Sequence, residues 1–194
     1  MRIQPDRLRA ASISIRVIGI DSAELHLPDG RGHFVSQGYW GEQGFEQMKY
    51  FVPVGTHVVV QSHGLDKYGR TLGRIIRGRS DINLAMVRSG WAYPYIICQG
   101  PECTPEFFKV ERVALYLKAC AEARANGRGV FNPQKPLMEL PLEFRMRIQG
   151  RKPEKFVGDF VTKALYAPEE YKKVDVCRAI FFMSAADARR AGYR

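Results

Sequence analysis

An arginine, an aspartate and a glutamate lie close together near the start of the sequence, where an apolar segment ends. Arg16 precedes Asp21 by five positions and Glu24 by eight, and the residues just before Asp21 read Val-Ile-Gly-Ile. This pattern predicts a strand that enters a core, and side chains at a strand end reach solvent. A guanidinium binds phosphate oxygens in pairs, one carboxylate can hold a hard cation, and another can accept a proton from water. The spacing therefore indicates chemistry on a phosphate ester.

A second arginine follows a turn later in the chain. The segment Asp66–Leu72 reads DKYGRTL, which places Arg70 directly after Lys-Tyr-Gly. Each segment alone has an ordinary structural explanation, because an Arg and an Asp at a strand end commonly form a surface ion pair and such a turn is commonly only a turn. The presence of both segments, in this order, favours the functional interpretation.

The charge of the chain points to a polyanionic partner. Its 194 residues carry a formal net charge of +10. Lysine and arginine neutralise phosphates and release counterions, so nucleic acid or an acidic membrane surface is the natural partner. No apolar run approaches the ~20 residues of a membrane span, and the first residues do not form a signal-peptide core. We expect no membrane segment and, for the chain as given, a cytoplasmic location by default; no protein partner can be inferred.

The apolar pattern predicts strands before and between helices. Strands are predicted over 12–20 and in a hairpin that joins 56–62 to 70–77, with a short helix over 41–50 between them. Asp81 is expected to cap a further helix. This order predicts an α+β fold, in which a small mixed β-barrel carries packed helices.

The second half of the chain divides at a proline-rich linker. One long helix is predicted from Thr104 to Asn126, with a single apolar stripe. The prolines that follow indicate a linker, which separates a domain at 1–132 from a small α+β C-terminal unit at 133–194.

The four cysteines lack a metal-binding spacing. Cys98, Cys103, Cys120 and Cys177 contain no Cys-x-x-Cys pair, so a closed zinc site is not expected. Reduced, scattered thiols are the favoured interpretation, with a disulfide between Cys98 and Cys103 as the alternative.

The two segments together resemble the staphylococcal nuclease family, whose members are also called thermonucleases. The resemblance rests on RVIGIDSAE at 16–24 and DKYGRTL at 66–72, in the family's order, and it covers roughly Met1 to Phe131. It implies a five-stranded OB-fold barrel with packed helices and a calcium-dependent endonuclease that hydrolyses phosphodiester bonds of DNA and, as a second substrate class, of RNA.

The resemblance also implies a role for each residue of the candidate site. Arg16 and Arg70 would bind the phosphate and stabilise the charge of the transition state, and Glu24 would be the general base for the attacking water. Asp21 would be a ligand of Ca²⁺. Ser22 stands where the family has a threonine whose backbone carbonyl also faces calcium.

Four further residues are candidates for contacts with nucleic acid. By the resemblance, Lys67 and Tyr68 lie where phosphates at the nucleotide end are contacted. Tyr93 and Tyr95 are candidates for base stacking, since every base offers an aromatic face.

One acidic segment of the family is missing from this sequence. Members usually carry a further metal ligand in an Asp-Gly-Asp-Thr segment ahead of the first arginine, and the corresponding position here falls at Arg2. Either the given start is internal to a longer gene product, or the protein has lost the ligand, for which Asp6 is a poor substitute. Loss of a carboxylate weakens calcium binding, and an incomplete first strand would expose a sheet edge.

The C-terminal unit faintly resembles the small zinc-binding module of Ada-type repair proteins, best over Asp187–Tyr193. That module's histidine and cysteine ligands are missing here, where Tyr166, Glu169 and Glu170 occupy the corresponding region, so no zinc is expected. Whether the unit orients a substrate or only covers barrel surface stays open.

Two other functions compete with the calcium-dependent endonuclease. A non-catalytic nucleic-acid-binding module is favoured by the missing acidic segment and the basic charge. A protein-interaction scaffold is disfavoured, because a degenerate scaffold has little need of all four of Arg16, Asp21, Glu24 and Arg70.

Overall fold

The computed structural model describes residues 12–194, in which strands and helices alternate. The strands are β1 (Ile15–Val17), β2 (Gly19–Asp21), β3 (Leu27–Pro28), β4 (Phe34–Val35), β5 (Val59–Leu65), β6 (Thr71–Arg77), β7 (Ser80–Asp81), β8 (Tyr93–Cys98), β9 (Phe156–Asp159), β10 (Leu165–Tyr166) and β11 (Ala179–Phe182). The α-helices are α1 (Tyr39–Phe51), α2 (Ile82–Arg88), α3 (Pro105–Val110), α4 (Val113–Ala125), α5 (Pro141–Gln149) and α6 (Ala185–Arg190), and short 3-10 helices span Gly129–Phe131 and Pro168–Lys173. Over this part of the chain, no helix combines the length and the apolar character that a membrane crossing needs.

The strands of residues 12–194 form three sheets. In the first, β6 pairs in parallel with β1 and antiparallel with β5 and β7. The second has the order β10–β9–β11–β8–β2, and the third joins β3 to β4. Between β1 and β2 the chain passes from the first sheet to the second, and Gly19 has a φ of 75° at this change, which glycine adopts without steric cost. The break places Arg16 on one sheet and Asp21 on another.

The predicted α+β class is confirmed. The structure has mixed sheets with helices packed on them, and the predicted hairpin is present as β5 and β6. A closed five-stranded barrel stays a prediction, and so does the division into 1–132 and 133–194. Arg2, at the position of the missing acidic segment, and Asp6 lie outside the described residues.

The second sheet contains strands from both sides of the proline-rich segment. β11 pairs in parallel with β8, with Ile180 opposite Ile96. One buried apolar cluster includes Ile96, Leu117, Ile180 and Tyr193. The C-terminal strands therefore share both a sheet and a core with the preceding part of the chain.

The single long helix predicted after Thr104 is wrong. The structure has α3 and α4, separated at Arg112, which adopts the left-handed conformation with a φ of 56°. The single apolar stripe does not continue across this break: Val113 and Leu117 are buried, whereas Val110 is 65% exposed.

The expectation of reduced thiols is also wrong. The structure contains the disulfide between Cys98 and Cys103 that was the alternative, and a second between Cys120 and Cys177. The second disulfide joins α4 to the segment before β11. The absence of a Cys-x-x-Cys pair could not reveal it, because its cysteines are 57 positions apart.

Candidate active site

The residues that carry the resemblance line one cleft with a volume of about 1110 Å³. Residues of α5 and of the segment after it line the cleft together with Arg16, Asp21, Ser22, Glu24, Lys67, Tyr68, Arg70 and Tyr95. β1 supplies the first arginine, β2 and the following loop supply the carboxylates, and the β5–β6 turn supplies the second arginine. The fold thus brings the two sequence segments together.

An arginine that was absent from the sequence prediction lies between the two carboxylates. Arg145 places Nη1 2.6 Å from Asp21 Oδ1 and 2.6 Å from Glu24 Oε1, and Nη2 2.8 Å from Asp21 Oδ2. The three side chains are largely buried: the exposed fraction is 24% for Arg145, 13% for Asp21 and 22% for Glu24. Bidentate pairing with a carboxylate is the strongest hydrogen-bonded contact a guanidinium makes.

The carboxylates are placed by the backbone around them. Asp21 ends β2, opposite Tyr93 of β8. Two hydrogen bonds join the backbone of Glu24 to Gln37. The Glu24 N–H donates to Gln37 Oε1 at 3.0 Å, and the Gln37 N–H donates to the Glu24 carbonyl at 2.7 Å. Gly41 of α1 packs so closely that a Cβ there would lie 2.5 Å from the Glu24 carbonyl oxygen. The backbone of Glu24 is therefore held in place relative to α1 and Gln37.

The neighbours of Arg145 in α5 fix the position of this helix. Phe144 is buried, and Glu143 accepts hydrogen bonds from the backbone N–H of Leu140 at 3.1 Å and from the Tyr171 hydroxyl at 2.8 Å. Burial alone disfavours the charged guanidinium, but attraction and hydrogen bonds from Asp21 and Glu24 outweigh it and raise the pKa of Arg145. Arg145 is a fixed positive charge at every pH at which the protein is folded.

The two predicted phosphate-binding arginines differ in their surroundings. Arg16 is exposed on β1, and its side chain forms no hydrogen bond or ion pair with residues 12–194. Arg70 donates from Nε to Asp66 Oδ2 at 2.7 Å, its Nη2 lies 2.7 Å from the same oxygen, and its side chain is 39% exposed. Asp66 also accepts the backbone N–H groups of Tyr68 and Arg70, which shapes the turn. The described surroundings leave Arg16 open to a phosphate, whereas Arg70 must share its charge with Asp66.

The four candidate nucleic-acid contacts fall in different places. Lys67 and Tyr68 are exposed at the tip of the turn, and the Lys67 ammonium lies 5.1 Å from the Tyr68 ring. Tyr95 lines the cleft, and burial raises its pKa to about 12. Tyr93 is 5% exposed and packs against Phe131, so its ring has no face toward the cleft. A stacking role for Tyr93 would require this part of the core to open.

A basic segment that the sequence analysis did not single out also lines the cleft. The run from Arg145 to Lys155 reads RMRIQGRKPEK, and Arg151, Lys152 and Lys155 line the cleft. Four lining cations form no ion pair within residues 12–194, and they are Arg16, Lys67, Arg151 and Lys152. The density of basic residues in this run was a signal that could have indicated the surface.

The calcium ion that the resemblance implies does not fit the described residues as they are arranged. Residues 12–194 contain no group of three His, Cys, Asp or Glu side chains that could hold a metal ion. A cation that bridged Asp21 and Glu24 would lie 2.3–2.6 Å from their oxygens, as calcium does in proteins. Arg145 Nη1 already lies 2.6 Å from one oxygen of each.

Comparison with known proteins agrees with the geometry. Residues 14–130 match the family model described as staphylococcal nuclease homologue. The chain is similar to "Endonuclease YhcR" of Bacillus subtilis (strain 168), with 33% identity over 183 residues, which is 93% of this chain and 14% of that relative. The chain thus spans about a seventh of the relative's length, and the similarity continues past residue 130. These matches, together with the cleft, show that the chain belongs to the staphylococcal nuclease family.

Proposed function

We propose that this chain is an endonuclease that hydrolyses phosphodiester bonds of DNA and, as a second substrate class, of RNA. Family membership and the endonuclease relative support a nuclease at the general level. The observation that carries the proposal is that Arg16, Asp21, Glu24 and Arg70 line one cleft whose other unpaired cations can follow a phosphate backbone.

Each residue has a task that its position allows. Arg16 is exposed and can bind a phosphate oxygen, and Arg70 can add a second contact at the edge of the turn. Glu24 uses Oε1 for Arg145, which leaves Oε2 to accept a proton from an attacking water. Hydrolysis at phosphorus needs neutralised charge and a positioned water more than covalent chemistry. The proposed mechanism assigns this neutralisation to arginine side chains.

Calcium dependence is an expectation from the resemblance that the described residues do not fit. Asp21 and Glu24 can offer their oxygens to a cation only where Arg145 does not hold them. The proposed mechanism therefore uses no bound calcium, and we expect similar cleavage rates in calcium and in a chelator.

A second function is favoured by the same ion pair. In the structure Arg145 already binds Glu24 through Oε1. A non-catalytic nucleic-acid-binding module would keep the unpaired cations and have no need of a free base. Such a module binds nucleic acid with strong salt dependence and does not cleave it.

The experiment compares Glu24→Gln with Glu46→Gln on single-stranded and plasmid DNA, in calcium and in a chelator. Glu46 is an exposed residue of α1, so its replacement removes the same charge away from the cleft. We expect Glu24→Gln to lower the cleavage rate at least ~100-fold, the usual contribution of a general base, and Glu46→Gln to leave it unchanged. Salt-sensitive binding without cleavage by the parent chain would establish the binding module instead.

A further inference from the structure

Arg145 lies outside residues 14–130, the part of the chain that matches the family model, but it contacts two residues of the candidate site. One nitrogen of its guanidinium lies 2.6 Å from an oxygen of Asp21 and from an oxygen of Glu24. This is the location, and nearly the distance, of a cation that bridges two carboxylates. We propose that the Arg145 side chain replaces a divalent cation between Asp21 and Glu24 and excludes such a cation from the site.

The charges of the site favour replacement of the cation by Arg145 over simultaneous binding of both to Asp21 and Glu24. Two carboxylates in a largely buried place need positive charge, and Arg145 provides it together with hydrogen-bond donors. A divalent cation that bound the same oxygens would face the guanidinium at short range, in surroundings with little water to screen the repulsion. Cation and guanidinium therefore compete for the two carboxylates.

The contacts of the C-terminal part favour a permanent position of Arg145 between Asp21 and Glu24 over a movable one. Helix α5 is fixed through Glu143 and buried Phe144. β11 continues the sheet of β2 and β8, the strands next to Asp21. The disulfide between Cys120 and Cys177 adds a covalent connection to α4. Movement of α5 that withdrew Arg145 from the carboxylates would break the hydrogen bond between Glu143 and Tyr171 and expose Phe144.

The inference concerns cation binding and does not rest on cleavage, so its failure is distinguishable from failure of the proposed function. The test is isothermal titration of calcium into the full chain and into Arg145→Gln, which keeps a polar side chain without the charge. Arg147→Gln is the matched control, because Arg147 lies on the same helix and pairs with Glu139 through two nitrogens, away from Asp21 and Glu24.

We expect Arg145→Gln to bind calcium at least tenfold more tightly than the parent chain and Arg147→Gln, and addition of Asp21→Asn to abolish that gain. Equal calcium affinity of the parent and Arg145→Gln, or no calcium binding by Arg145→Gln, would overturn the proposal.

A second variant protects the test against misfolding. Arg145→Lys keeps a positive charge between the carboxylates, and we expect it to exclude calcium as the parent does. For Arg145→Gln we further expect calcium to raise the thermal denaturation midpoint, because a ligand that binds only the folded state stabilises it. A rise of the same size in Arg145→Lys and in the parent would contradict exclusion by a positive side chain.

Discussion

The cleft contains two arginine–carboxylate contacts that are built in different ways. Arg70 and Asp66 are four residues apart in one turn, whose backbone N–H groups bond the same carboxylate. Arg145, in contrast, reaches Asp21 across 124 positions and Glu24 across 121. The first contact follows from local sequence, whereas the second exists only when the C-terminal strands and α5 are in place. The chemistry of this cleft therefore depends on a part of the chain outside the family match at 14–130.

The disulfides offer the largest test of this contrast between local and long-range connections. Cys98 and Cys103 are separated by 5 positions and Cys120 and Cys177 by 57, and all four side chains are buried. Because a longer loop restricts the unfolded chain more, replacement of Cys120 and Cys177 by alanine should lower the free energy of unfolding by about 4 kcal/mol, against about 2 kcal/mol for Cys98 and Cys103. Urea unfolding of the two double variants measures both, and equal losses would contradict the contrast.

The two arginines provide the next test. Arg145→Ala leaves two largely buried carboxylates without a partner and should lower the free energy of unfolding by about 3 kcal/mol. Arg70→Ala should cost less than about 1 kcal/mol, because that ion pair is partly exposed. Urea unfolding at low ionic strength compares the two variants. Similar losses would mean that the long-range contact stabilises the fold no more than the local one.

The smallest effect concerns Glu143, which anchors the helix of the long-range arginine. Burial opposes the charge of Glu143, but hydrogen bonds from Tyr171 and Lys172 outweigh it and hold the pKa of that carboxyl below its usual 4.5. The stabilisation is therefore present above pH 4.5 and is lost as pH falls through the lowered pKa. We expect Glu143→Gln to lower the free energy of unfolding by about 1 kcal/mol at pH 7. Unfolding measured from pH 7 downward should show this difference shrink in acid, and a constant difference would contradict the assignment.

Local signals predicted several features of the fold and the site. Asp81 caps α2 as expected, with Oδ1 accepting the Leu84 N–H at 3.0 Å. The turn at 66–70 and the strand end at Asp21 also follow from short segments of sequence. Such features depend on propensities and hydrogen bonds within a few residues, which are visible in the sequence.

The errors have physical causes that no local pattern reveals. The apolar stripe of the predicted long helix continued through Arg112, but tertiary packing on α2 and β8 selects a break there. Arg145 is an ordinary helix residue in the sequence, and its contacts with Asp21 and Glu24 span 124 and 121 positions, beyond any local pattern. The pairing of Cys120 with Cys177 depends on the same long-range packing.

The most direct test of the account is the cleavage of plasmid DNA by the parent chain, at equal ionic strength, in calcium and in a chelator. We propose that the cleft hydrolyses phosphodiester bonds with Arg145 in the place of a cation. This proposal predicts cleavage at similar rates in both conditions, lost in both on Glu24→Gln. Cleavage by the parent chain that appears only with calcium would contradict it.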